Sequence, residues 1–164
     1  MPIRYTAGNY KYQLKDDYII TVPLVDAKVV STPYLSVIPL DRYSTSDVFA
    51  FGLTVDMTDK TVASRPIAAE LTIRAGYAWD GPSGPTYDSK DSMRGSLVHD
   101  ALYQLIRLGH LGPEHRQPAD QLLYDICRED GMGYFRANAW YWAVRMFGRP
   151  ASEPNSGPKE YTAP

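Results

Sequence analysis

The chain is poor in cysteine and histidine, has no long apolar run and carries almost no net charge. Each shortage removes a class of protein. The single cysteine, Cys127, has no intrachain partner, which excludes a disulfide-stapled scaffold and any multi-cysteine zinc site. No apolar stretch approaches the length of a membrane span, and the longest are broken by Pro23, Pro33 and Pro39, so no transmembrane segment is expected. A formal net charge of -2 offers no basic field for a phosphate backbone, and no nucleic-acid partner is expected. The opening residues, Met1 to Thr6, lack a charged stretch followed by an apolar one, so no signal peptide is read and a reducing cytoplasm is the expected setting. Tyrosine is abundant instead, with 13 residues, and suits half-buried strands and wet interfaces.

What is present divides into a strand-like half and a helical half. Tyr10–Leu14, Tyr18–Leu24, Tyr34–Leu40 and Val48–Met57 are rich in alternating β-branched and aromatic residues, and Leu71–Arg74 is a shorter strand of the same kind. Lys15-Asp16-Asp17 is a turn, and Pro23 and Pro39 fall where a strand end tolerates a missing N–H. Tyr77–Asp91 holds two glycines, two prolines and several small or acidic residues, and reads as a specified loop, neither strand nor helix. Three helices follow. The first spans about Ser92–Leu108, capped by Asp91 or Ser92 and ended by Gly109, with Leu97, Ala101, Leu105 and Leu108 as its apolar stripe. The second runs from Pro118 to about Glu129, with Gly131 as its stop. The third spans about Tyr134–Phe147, stopped by Gly148 and Pro150, with Trp140, Tyr141, Trp142, Val144 and Phe147 closing the core. The expected fold class is α+β: one domain over 1–150, with an antiparallel strand-rich scaffold (1–76), a loop (77–91) and a three-helix part (92–148). A flexible tail (151–164) completes it.

Chemistry concentrates on the first two helices. His99 and Tyr103 are one turn apart and share a face, and Asp100 lies on its flank. If the next helix returns antiparallel, Asp120 in its first turn faces them, with Tyr124 a turn further on. A carboxylate on one ring nitrogen fixes the histidine tautomer and leaves the other nitrogen to deprotonate water. In this reading His99 is the base, Asp120 the orienting acid and Tyr103 its support. Asp100 is left to hold a hard cation with carbonyls of the Tyr77–Pro85 loop. The competing reading is a satisfied polar network with no chemistry. His110 and His115 flank a Gly-Pro turn and read as solvated loop residues, although a zinc site with His99 and Asp100 is conceivable. Cys127 reads as a small core residue, and Trp79, Trp140 and Trp142 as core, with Trp79 alternatively lining a lipid or partner groove.

The run His99-Asp100-Ala101-Leu102-Tyr103 resembles the His-Asp-x-x-Tyr signature of calcium-dependent phospholipase A2 enzymes, above all the disulfide-free domains of parvovirus capsid proteins. Arg107-Leu108-Gly109 and Ala119-Asp120 match the layout that follows there. The resemblance implies His99 as base, Asp100 as calcium ligand, and Tyr103 and Asp120 as supports. The glycines after Tyr77 are displaced from that family's Tyr-x-Gly-x-Gly loop.

A second resemblance runs from Leu71 to Gly148. Gly76–Pro85, His99–Tyr103, Arg116–Asp120 and Val144–Gly148 are similar to the ordered motifs of an uncharacterised family, a domain of unknown function common in tailed-phage and prophage genomes. It makes Asp80, Ser83 and Arg116 prominent. Asp80 reads as a turn residue or a metal ligand, and Ser83 as a loop residue that lacks the strand-to-helix elbow of a serine nucleophile. Arg116 reads as a partner for Asp120 or Asp100, or as an anion contact. Tyr77, Trp79, Gly81, Ser83 and Arg116 are the expected binding residues, and Asp80 and Asp100 the expected metal ligands.

The leading expectation is a phage-associated ester hydrolase with His99 as general base, Ca2+ as cofactor and a lipid or membrane surface as partner. One alternative is a non-enzymatic virion or accessory protein whose partners are other phage structural proteins. The other is a Zn2+-dependent hydrolase acting on cell wall. The implied locations are host cytoplasm and virion.

Overall fold

A computed structural model describes residues 5–6, 12–40, 68–82 and 89–154. The chain forms two compact units, 1–81 and 82–164. The fold is α+β, with antiparallel strands first and helices after.

The first unit holds two antiparallel sheets. In the larger, β6 (Ala69–Ile73) lies between β3 (Tyr18–Val22) and β5 (Leu35–Pro39), with β4 (Val30–Ser31) at the edge. The two-residue period decides which side is buried. Ala69, Leu71 and Ile73 on β6 are fully buried, as are Val22 and Val37 on its neighbours, while Ile19 and Ile38 point outward. Pro39 is the last residue of β5 and Pro23 follows β3, both at strand ends as expected. The expected strand at Val48–Met57 lies outside the described residues.

The smaller sheet joins β1 (Tyr5–Thr6), β2 (Tyr12–Leu14) and β7 (Ala78–Trp79). β7 corrects the reading of Tyr77–Asp91 as wholly non-strand. Trp79, buried, pairs with the half-buried Tyr12 across the ladder, their ring centroids 5.6 Å apart, and that aromatic pair overrides the local turn chemistry. Gly81 follows at φ +78, and a Cβ there would run into the Tyr12 ring.

The second unit is helical: α1 (Lys90–Arg107), α2 (Arg116–Glu129), α3 (Tyr134–Phe147) and the short α4 (Arg149–Ser152), with a 3-10 turn at Pro113–His115 before α2. α1 starts earlier than the expected Ser92. Ser89 is the N-cap and forms a capping box with Ser92, whose hydroxyl accepts from the Ser89 N–H at 3.1 Å. Gly109 (φ +74) and Gly131 (φ +98) follow the ends of α1 and α2, where a left-handed residue releases the chain.

α1 and α2 run antiparallel, as their contacts show. Arg94 near the start of α1 pairs with Asp130 beyond the end of α2 at 2.8 Å, while Tyr103 near the end of α1 meets Arg116 at the start of α2. At Gly95 the helices come so close that a Cβ would sit 2.6 Å from Cys127 Sγ. Cys127 is fully buried there, and burial pushes its thiol up to about 12, which keeps it protonated and inert.

α1 is buried around most of its circumference, including Leu97, Ala101 and Leu105, but Leu108 at its C-cap is exposed and does not extend the expected stripe. α3 packs Ala137, Trp140 and Val144 into a core with Leu123, Cys127 and Met132. Trp142 and Phe147, expected to close that core, face outward at 57 and 75 % exposure. A three-and-four residue spacing can bury only one stripe of a helix, and Trp140 holds it. The expected tail begins as structure: α4 extends through Ser152, which is buried, and Arg107 donates to the Ala151 carbonyl at 3.1 Å.

Candidate functional site

α1, α2 and α3 each send charged or polar side chains to one point, Asp120. Its side chain is wholly buried, a position a carboxylate tolerates only with full pairing. Four groups provide it. His99 Nε2–H donates to Oδ1 at 2.8 Å and the Tyr103 hydroxyl donates to the same oxygen at 2.7 Å. Arg145 donates to Oδ2 at 2.9 Å, and Arg116 stands 4.0 Å from that oxygen. The one-turn step from His99 to Tyr103 puts both on the face turned to α2, with ring centroids 4.0 Å apart.

Arg116 ties the remaining ends together. Its Nε–H donates to the Tyr103 hydroxyl at 3.0 Å, and its NH2 donates to the carbonyls of Val144 and Arg145 at 2.7 and 2.8 Å. Those carbonyls belong to the last turn of α3, where a cation is favoured. Gly148 leaves room for this junction, since a Cβ there would lie 2.9 Å from the Tyr103 hydroxyl oxygen.

Asp100, one-third exposed, places Oδ1 3.7 Å from His99 Nδ1, an ion-pair distance beyond a direct hydrogen bond. The imidazole therefore has a carboxylate near each nitrogen. Burial of the ring works to lower its pKa, but the flanking carboxylates of Asp100 and Asp120 prevail and raise it. Burial of Asp120 works to raise its pKa, but the bonds from His99 and Arg145 prevail and lower it. Burial and the neighbouring Asp120 hold Tyr103 well above its ordinary value, so it remains a phenol and donates.

These two shifts set a pH window for stability. Asp120 stabilises the fold above its ordinary value of 3.8, and that contribution is lost as pH falls through its lower folded value. His99 contributes fully below its ordinary 6.5, and that contribution is lost as pH rises through its higher folded value. Melting temperature measured from pH 4 to 9 is expected to be highest between those two ordinary values and to fall on the alkaline side. His99→Gln should flatten that alkaline decline; an unchanged slope would assign it to other groups.

The structure brings His99, Asp100, Tyr103, Arg116 and Asp120 together and adds Arg145, which sequence reasoning missed as a site residue. Its signal lay in the Val144–Gly148 motif, whose arginine was read only as part of the closing pattern. Tyr124 stays out of the network and packs edge-on to Tyr141, centroids 6.2 Å apart. Of the other expected residues, Tyr77, Trp79 and Gly81 are buried in the first unit and Asp80 is exposed there. Ser83 lies outside the described residues. His110 is exposed as expected, but His115 is not solvated: it is buried, and its Nδ1–H donates to the Gly112 carbonyl at 3.2 Å within the 3-10 turn. Among the described residues, no three His, Cys, Asp or Glu side chains converge as a metal-binding group.

The structure thus defines an α+β protein with a buried His–Asp–Tyr–Arg network carried by helices. A family model described as a protein of unknown function (DUF1353) matches residues 56–144, more than half of the chain, and the chain belongs to that family. The matched span contains five of the six network residues and ends one residue before Arg145. No curated protein and no solved structure matches the chain. No helix among the described residues is long and apolar enough to cross a membrane.

Proposed function

We propose that the chain is a phage-associated hydrolase of the phospholipase A2-like His-Asp type, in which water attacks an ester carbonyl with His99 as general base. The observation that carries this reading is the 2.8 Å contact between His99 Nε2 and a fully buried Asp120. With the Nε2 proton committed to Asp120, the lone pair resides on Nδ1. There it takes a proton from water as the water oxygen bonds to the carbonyl carbon. The resulting imidazolium lies between Asp120 and Asp100, which stabilise its charge. It returns the proton to the alkoxide as the carbon–oxygen ester bond breaks, releasing alcohol and acid. Tyr103, Arg116 and Arg145 hold Asp120 still during both transfers.

The phage setting, a lipid surface as substrate, and residence in host cytoplasm or virion belong to the same reading and rest on likeness of motif. The resemblance implied Ca2+, with Asp100 and Asp80 as ligands. The donor set of the described residues does not make a metal site by itself, so no step is routed through calcium or zinc.

A second reading is favoured by the 7 % exposure of His99 and by the full complement of bonds on Asp120. A non-enzymatic virion or accessory protein would keep such a network for packing alone.

The deciding experiment incubates the purified full chain with phosphatidylcholine–phosphatidylglycerol vesicles and with a soluble aryl ester, in calcium and in chelator, and titrates the acid released. Hydrolysis above the buffer rate supports the first reading. No release from either substrate overturns it, and stoichiometric recovery of the chain in purified particles would then support the second.

A further inference from the structure

The inner stripe of α3 is accounted for by Ala137, Trp140 and Val144. Its outer face is apolar as well. Phe135 is 87 %, Trp142 57 % and Met146 64 % exposed, and Ala139 lies exposed between them. These four positions advance by four, three and four residues, the spacing of a helix–helix seam. Tyr134 and Phe147 flank the stripe, also exposed. No acidic residue and no lysine occurs in Tyr134–Phe147, and both arginines are engaged in contacts within the unit: Arg136 on Asp91 and Ser89, Arg145 on Asp120. A contiguous uncharged aromatic face of this kind marks a contact surface.

We propose that this face is the two-fold interface of a homodimer formed by antiparallel pairing of α3 with the α3 of a second copy. The stripe is self-complementary about an axis passing between residues 140 and 141. Such an axis sets Trp142 against Ala139 of the other copy, large against small, and Phe135 against Met146, a ring against a thioether. It sets Tyr134 against Phe147 at both ends. The same register brings Arg136 toward Arg145 of the other copy, but each is already paired with a carboxylate of its own unit, Asp91 and Asp120, which offsets that repulsion. A lipid surface fits less well, because interfacial helices flank their apolar face with free lysine or arginine and α3 has committed both of its cations. At 150–250 Å² per aromatic side chain the exposed area comes to roughly 600 Å² per chain, somewhat below the usual ~800 Å², so the dimer is expected to dissociate in the micromolar range.

Sedimentation equilibrium of the full chain from about 1 to about 200 µM tests this. A reversible monomer–dimer equilibrium is expected. Trp142→Glu should weaken it roughly a hundredfold or more with an unchanged far-UV circular dichroism melt. Should that variant unfold, Phe135→Glu serves instead, since an acidic residue in the first turn of a helix is favourable. The double variant Ala139→Lys/Trp142→Glu places the introduced lysine of each copy opposite the introduced glutamate of the other, and should restore association. A wild-type chain that stays monomeric, or a dimer indifferent to Trp142→Glu and Phe135→Glu, overturns the proposal. So does a monomer whose outer face binds phosphatidylcholine–phosphatidylglycerol vesicles.

Discussion

Asp120→Ala is expected to lower the stability of the chain by about 3–5 kcal/mol, read as a shift of the urea midpoint at pH 6. A buried ion pair is not in itself strong evidence of stability, because both charges lose their hydration when they come together. Removing one partner is a different case. Asp120 is fully buried and accepts from His99, Tyr103 and Arg145 at 2.7–2.9 Å, and its loss strands three donors at once. Arg145, about a quarter exposed, can turn partly to water, but His99 and Tyr103 cannot without leaving the helix interface. Asp120→Asn should fall between the wild type and alanine: its carbonyl can still accept from His99 and Tyr103, while its amide then faces Arg145, donor against donor. In a double-mutant cycle, Asp120→Ala and Arg145→Ala should be strongly non-additive, since each removes the partner of the other. A cost for Asp120→Ala below about 1 kcal/mol would mean that water reaches these groups freely and that the network is not a buried one.

The network also bears on how the helices are held together. Arg116 starts α2, bonds Tyr103 on α1 and reaches the last carbonyls of α3, so one guanidinium bridges three helices. At the other end of the α1–α2 pair, Gly95 sits against Cys127 and Arg94 pairs with Glu129 and Asp130. The apolar core lies between these polar ends, which fix the pitch at which the helices meet. The site is therefore built on rigid elements and not on a loop.

Much of this was legible in advance, for physical reasons that differ by residue. The His99–Tyr103 spacing and the short return to Asp120 follow from helix geometry, so the dyad is readable from the sequence alone. Gly109 and Gly131 marked helix ends because few other residues adopt their positive φ cheaply. Arg145 was hidden because a lone arginine on the third helix has no spacing that points to a carboxylate on the preceding one, twenty-five residues earlier. Trp142 and Phe147 have the bulk of core residues, but the helical period leaves them no inner position. β7 was hidden because its partner is Tyr12, more than sixty residues earlier, and two-residue strands carry no periodic signal. His115 looked solvated next to a Gly-Pro turn, yet a 3-10 turn folds its ring inward onto the Gly112 carbonyl.

His99→Gln is the substitution that separates chemistry from architecture. Glutamine is uncharged across the working range, can still offer an N–H toward Asp120, and has no nitrogen basic enough to take a proton from water. If His99 is the general base, ester hydrolysis should fall by about 10²–10⁴-fold. At alkaline pH, where the wild-type imidazole is itself neutral, stability should change by less than about 1 kcal/mol. The wild-type rate should rise with pH through the raised pKa of His99, because only the neutral ring accepts a proton. That rise runs opposite to the stability trend, which declines over the same interval as the imidazolium loses its proton between two carboxylates. One titration thus drives two measurements in opposite directions. A rate that ignores His99→Gln, or that follows stability downward as pH rises, would show the imidazole to be a strut between helices and would leave the catalytic reading without a base.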